Sequence, residues 1–264
     1  MHICETTDRM KLRNALSQHP LRAAYMLGDL DPAYFGFTRW FVAQSEEQKS
    51  FESIAMLYSG LRLPILLTHG DANALEAAVE RAVQEIPGTI YTQMEEEHDV
   101  VLARYYKMGD VRSMIRMGLT KEDFSSQVDP EQFNVTQLSH ADTADLMGLY
   151  SFYPDAFFEP YQLESGCYYG IRQNDTLAAV AGVHVISEEF SVAAIGNVVT
   201  HPDFRGNGLA QACVAHLVAR LFDRVDTIAL NVPEENLKAR KTFESLGFTT
   251  HTRFLEGVAT RRVH

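Results

Sequence analysis

Val198-Val199-Thr200-His201-Pro202-Asp203-Phe204-Arg205-Gly206-Asn207-Gly208-Leu209-Ala210 is the stretch on which the reading of the fold turns. It begins as the apolar end of a strand, is stopped by Pro202, and passes two glycines into a run with helical spacing. Leu209, Cys213, Leu217 and Leu221 recur at about one helical turn, and Val214 and Val218 widen the stripe. The first N–H groups of a helix have no intrahelical acceptor, and the helix dipole adds about half a positive charge there. Glycines at 206 and 208 let a phosphate approach the backbone without meeting a Cβ. The spacing therefore predicts an anion cradle over Arg205, Gly206, Asn207, Gly208, Leu209 and Ala210. Arg205 in it either touches the anion or braces the loop. A tight turn without a ligand is the plainer reading of the same glycines.

Outward from this stretch, strands and helices alternate. Upstream, Ala193–Thr200 reads as a strand, and Cys167–Arg172 and Leu177–Ile186 as two arms about the turn Gln173-Asn174-Asp175. Phe133–Leu138 alternates like a strand, and Ser139 opens a helical stretch to Tyr150. Downstream, Thr227–Val232 reads as a strand and Glu234–Leu246 as a helix closed by Gly247. Phe248–Thr252 and Arg253–Thr260 read as a final hairpin. The first half follows the same order more faintly: strand Leu63–Thr68, turn His69-Gly70-Asp71, helix Ala72–Ile86, strand Thr89–Gln93, helix from Glu95. This predicts an α/β protein with a mixed sheet. The acidic segment Lys121–Glu131 is the expected boundary, giving a domain of residues 1–128 and a second of 129–264.

Composition sets outer bounds. The 264 residues are 46% hydrophobic and 22% charged, as in an ordinary globular protein. Formal charge is −12, from 35 acidic and 23 basic side chains, which argues against nucleic acid as a partner. Cys4, Cys167 and Cys213 show no C-x-x-C spacing, so neither a disulfide framework nor a zinc cluster is expected. The acidic run Glu95-Glu96-Glu97-His98-Asp99 fits a solvated helix start better than a metal site. With no apolar run near the ~18 residues of a membrane span and no signal-like start, a cytoplasmic protein off the membrane is expected.

A second motif follows the cradle: Asn236-x-x-Ala239-x-x-x-Phe243-x-x-x-Gly247-Phe248. Together the two resemble the GNAT superfamily of N-acetyltransferases, whose cofactor motif Arg/Gln-x-x-Gly-x-Gly/Ala is matched at Arg205, Gly208 and Ala210. The resemblance covers about residues 131–264, and its nearer neighbours include the branch similar to glycine N-acyltransferases. It implies a GNAT-like fold there, and a degenerate GNAT-like fold in the first half. It also implies an N-acyltransferase that passes an acetyl or short acyl group from acetyl-CoA to an amine by direct attack, with no metal. Val198, Val199 and Thr200 would then bond the pantetheine arm, Arg205 to Ala210 enclose the pyrophosphate, and Asn236 reach the cofactor from the next helix. Glu159 and Glu164, where the family builds its acceptor pocket, are the candidate catalytic carboxylates. His184 reads as a satisfied, partly buried histidine. Phe243 stands where the family often has a tyrosine able to protonate the leaving thiolate. That departure keeps open a second reading, a CoA-binding or sensing module without catalysis.

Overall fold

The computed structural model describes residues 1–45, 50–126 and 130–262. The boundary expected between residues 128 and 129 lies outside them. The chain forms β1 (His2–Thr6), α1 (Arg9–Leu16), α2 (Ala24–Gly28), α3 (Pro32–Phe35), β2 (Thr38–Gln44), β3 (Phe51–Tyr58), β4 (Ile65–Gly70), α4 (Ala72–Ala82), β5 (Thr89–Met94), α5 (Asp99–Tyr105), β6 (Tyr106–Met108) and β7 (Arg112–Thr120). It continues with β8 (Thr136–Gln137), α6 (Thr143–Tyr150), β9 (Tyr169–Gln173), β10 (Thr176–Ser187), β11 (Val192–Thr200), α7 (Leu209–Leu221), β12 (Thr227–Pro233), α8 (Leu237–Glu244) and β13 (Thr249–Arg261). Two compact units result. One holds Met1–Arg116, Pro233–Glu235 and the stretch from His251; the other holds Met117–Val232 and Asn236–Thr250. Among the described residues, no helix is long and apolar enough to cross a membrane.

In the first unit β1, β2, β3 and β4 pair antiparallel, and β4 pairs with β5 in parallel. β13 joins β5 and β6 antiparallel. Helix α4 turns Leu75, Ala78, Val79 and Ala82 inward, three to four residues apart, and they pack with Phe41, Leu57 and Leu66 from the strands and Leu102 from α5. In the second unit β8, β9, β10 and β11 pair antiparallel, and β11 pairs with β12 in parallel. The apolar stripe of α7 is buried from Leu209 to Leu221, as its spacing requires. Tyr150, Phe158, Tyr168, Leu146 and Leu149 form a further cluster around Val180.

Two segments read as strands in the sequence take another form. Only Thr136–Gln137 of the alternating Phe133–Leu138 segment joins the sheet, because Pro130–Phe133 winds into a 3₁₀ turn. The expected last hairpin is one thirteen-residue strand, β13. No turn residue separates Thr252 from Arg253, and the strand finds its partners in β5 and β6 instead of in itself.

Candidate active site

The loop between β11 and α7 is a short 3₁₀ turn, Pro202–Phe204, followed by Arg205 in extended backbone. Gly206 and Gly208 both have positive φ, +84° and +74°, a region that costs a side chain strain and a glycine none. Gly208 is the N-cap residue of α7, and no side chain caps that helix. The first N–H of α7 to find a backbone acceptor is that of Ala212, 3.0 Å from Gly208 O. A Cβ added at Gly206 would meet nothing within 4 Å, and one at Gly208 only the Phe133 ring at 4.0 Å. The cradle is thus open in front and lined by unspent N–H donors, which fits a phosphate-bearing group.

The strand leading into this loop opens a second space. β11 and β12 pair in parallel from Val192/Thr227 to Ile195/Leu230. Both then run on, β11 to Thr200, so Val198, Val199 and Thr200 lie past the last pair on that edge while Thr200 and Val199 still pair with Ala179 and Val180 on the other. At the divergence sits Asn197, with φ +55°, a rare conformation for a non-glycine that turns the strand. Its Nδ2 lies within reach of Tyr168 Oη (2.9 Å), Gln162 Oε1 (3.2 Å) and Phe157 O (3.2 Å), while Tyr150 Oη donates to its carbonyl (2.7 Å). The side-chain network holds the kink. Asn197→Ala should cost about 3 kcal/mol, from lost hydrogen bonds to buried partners plus left-handed strain. Asn197→Gly, which keeps the conformation, should cost about 1 kcal/mol less; urea unfolding of the two variants checks the difference.

Next to the kink, Gly196 faces His184: a Cβ there would come 1.9 Å from Nε2. Burial pushes the His184 imidazole down to about 4, so the half-buried ring is neutral at physiological pH.

Asn236 is the N-cap residue of α8, its Oδ1 accepting from Ala239 N–H at 3.1 Å. Phe243 is 7% exposed and meets Phe248 edge to face, ring centres 5.9 Å apart, so no proton donor stands at that position. Glu159, half-buried, opens a 3₁₀ helix over Pro160–Ser165: its backbone carbonyl accepts from Gln162 N–H at 3.0 Å, and Gln162 Oε1 accepts from Glu159 N–H at 3.0 Å. The same Gln162 belongs to the Asn197 network. Glu164 is exposed on that helix. Arg205 sends its guanidinium to Tyr153, donating from Nη2 to Tyr153 Oη at 2.7 Å with its Cζ 5.5 Å from the ring centre. Tyr150, Tyr153 and Asn197 escaped the sequence reading. The one local signal was Gly-Asn at 196–197 inside an otherwise apolar strand.

The first unit repeats the parallel pair but spends its groups differently. β4 and β5 pair from Ile65/Tyr91 to Leu67/Gln93, and β4 runs on to Gly70. Helix α4, which follows, is capped by Asp71, whose carboxylate accepts from Ala74 N–H at 2.9 Å. An anion already sits at that helix start. Past the last pair, His98 donates from Nε2 to Gly70 O (2.9 Å), which makes its Nδ1 the acceptor of the Thr68 hydroxyl (2.8 Å). Burial lowers the His98 pKa, in keeping with this neutral ring. His69 Nδ1 reaches Glu95 Oε1 at 2.6 Å, and Arg22 bonds the other carboxylate oxygen. Burial would raise the Glu95 pKa, but His69 and Arg22 hold it below the usual range. The solvated helix start expected of Glu95 is a buried ionic centre in its first residue, 6% exposed, and solvated in Glu96 and Glu97. Glu95, Glu97 and His98 bring ligand-type atoms within 4.8 Å of one another, but both nitrogens of His98 are engaged.

Comparison with known proteins bears on the second unit first. Residues 135–248 match the model of the acetyltransferase (GNAT) family. The [ribosomal protein bS18]-alanine N-acetyltransferase of Escherichia coli K12 is 32% identical over 124 residues, 44% of this chain and 82% of that protein. Among solved structures, a GCN5-related N-acetyltransferase from Kribbella flavida matches 93% of this chain and 97% of its own, with 15% identity and a TM-score of 0.66. A tandem GNAT protein from the clavulanic acid biosynthesis pathway matches 98% of each chain, with 13% identity and a TM-score of 0.58. With an uncapped glycine cradle after a splayed parallel strand pair, and with those relatives, the chain belongs to the GNAT family and is an N-acetyltransferase.

Proposed function

We propose that the chain binds acetyl-CoA along the free edge of β11 and at the start of α7, and passes the acetyl group to an amine by direct attack. The observation that carries this is the helix start at Gly208, which no side chain caps. In this reading the backbone of Val198, Val199 and Thr200 bonds the pantetheine arm. The N–H groups of Gly206, Asn207, Gly208, Leu209 and Ala210 hold the pyrophosphate, and Asn236 reaches it with its amide NH₂. When bound, acetyl-CoA supplies an activated thioester carbonyl. The protein's part is to align an amine with it and to take up the amine's proton. We assign the proton to half-buried Glu159, whose backbone N–H is tied to the Gln162–Asn197 network; exposed Glu164 would act only through bulk water. With Phe243 in the motif, solvent protonates the departing thiolate, which a free-thiol pKa near 8.5 allows. The first unit we read as a GNAT-like copy whose cofactor seat is filled by Asp71 and His98.

A relative named as an alanine N-acetyltransferase of ribosomal protein bS18 makes a peptide α-amine the first acceptor to try. Thiol release from acetyl-CoA should appear with the right amine in a panel of Ala-terminated peptides and small amines, and Glu159→Gln should lower kcat about 10²-fold or more. Stabilisation by CoA without turnover on any amine would support the second reading, a CoA-binding module, for which Phe243 is the motivating residue.

A further inference from the structure

We propose that Tyr153 is a positioning residue for the acyl donor, and that Arg205 serves the cradle through Tyr153 and not by touching the donor. This rests on the donor-binding reading of the β11–α7 loop. Tyr153 lies one helical turn beyond Tyr150, just past the end of α6, and the two hydroxyls grip β11 three residues apart: Tyr150 on Asn197 O, Tyr153 on Thr200 O. Thr200 is the last residue of β11, and Arg205 ends the 3₁₀ turn that follows. The Tyr153 hydroxyl gives its one proton to Thr200 O and accepts from Arg205 Nη2, so one oxygen ties both ends of the turn together. Donation to the carbonyl polarises the hydroxyl and strengthens what it accepts from the guanidinium.

Without that oxygen the turn keeps Phe204 N–H on His201 O, Arg205 N–H on Pro202 O at a long 3.5 Å, Asp203 N–H on His201 Nδ1 and Asn207 Nδ2 on Phe204 O, while His201 N–H on Ala178 O anchors its first end to β10. Arg205 is the one cation in Arg205–Ala210; it is exposed, and its guanidinium is engaged on the Tyr153 hydroxyl and ring. The loop's anion affinity then comes from aimed N–H groups, and aim is what Tyr153 supplies. A loop ordered before binding gives up less entropy when the donor arrives. The consequence is a specific kinetic pattern: donor affinity depends on Tyr153, while turnover at saturating donor does not.

The test uses the full chain with CoA as probe in calorimetry and acetyl-CoA in steady-state assays, on Tyr153→Phe, Arg205→Met and the double variant. Tyr153→Phe keeps the ring and its packing and removes the bridging oxygen alone. We expect Kd for CoA and KM for acetyl-CoA to rise about tenfold in each single variant, with kcat within twofold. The double variant should be no weaker than the weaker single one, since both break one link. Arg205→Lys should recover part of the loss. Additive losses near a hundredfold would place Arg205 on the donor and overturn the proposal, as would an unchanged Kd in Tyr153→Phe beside normal binding by the unmodified chain. No CoA binding by the unmodified chain would instead overturn the donor reading itself, and this assignment with it.

Discussion

Gly208→Val should abolish stabilisation by CoA while leaving the far-UV circular dichroism unchanged. At a ligand concentration of about 100 Kd, binding one site stabilises a fold by about 2.7 kcal/mol, which for a chain of this size raises Tm by roughly 5–10 °C. Valine destroys that in two ways. Its Cβ and branches enter the open front of the cradle, where an alanine Cβ would touch only the Phe133 ring. It also resists φ +74°, so the first turn of α7 re-aims the donors that the anion needs. The strain costs about 1–3 kcal/mol of stability without ligand, well within what a buried thirteen-residue helix tolerates. A CoA-induced shift kept in full by the variant would show that the pyrophosphate lies elsewhere.

Asp29→Asn should stabilise the protein at pH 8 by up to about 5 kcal/mol and change it little at pH 4. Asp29 follows α2 and is 8% exposed, and burial pushes its carboxyl up to about 8. The unfolded chain releases that proton near pH 4, the folded one near pH 8. Stability from this group is therefore fully present below about pH 4 and lost as pH rises towards 8. Asparagine keeps the shape without a proton to lose. His184 acts in the opposite sense: its folded pKa of about 4 lies below the unfolded value, so its contribution is lost as pH falls from about 6.5 to 4. Urea unfolding across pH 4–8 on both proteins gives the difference curve, in which His184 cancels. Parallel curves would mean that Asp29 is ionised in the folded state and rule out the burial argument.

What was legible in the sequence was local. The cradle could be read because its parts, Pro202, Gly206, Gly208 and the apolar stripe of α7, lie within one strand–loop–helix and act through backbone rules. Asn236 as the opening of α8 was legible for the same reason. The kink at Asn197 was not, since it is held by Tyr168, Gln162 and Phe157 from 29 to 40 residues away. The role of Arg205 was open in the sequence because its partner lies 52 residues upstream. Glu95 looked solvated because its run is acidic, and it is buried because Arg22 and His69 reach it from distant elements. The last strand was misread as a hairpin for a related reason. Alternation reports that a segment is extended, and only partners decide whether it folds on itself.

That last strand has a consequence for how the protein is made. Leu255–Thr260 pair with Met94–Thr89, so the first unit's sheet contains a strand that is translated some 160 residues after its neighbour. At bacterial-type synthesis rates of roughly 5–20 residues per second, β5 waits on the order of ten seconds for it with an edge unpaired. During that wait the residues of the second unit emerge and can fold from closer contacts. The natural order of assembly then runs against the order of synthesis: the part begun first is finished last, and the exposed edge of β5 is where a nascent chain has most need of a chaperone.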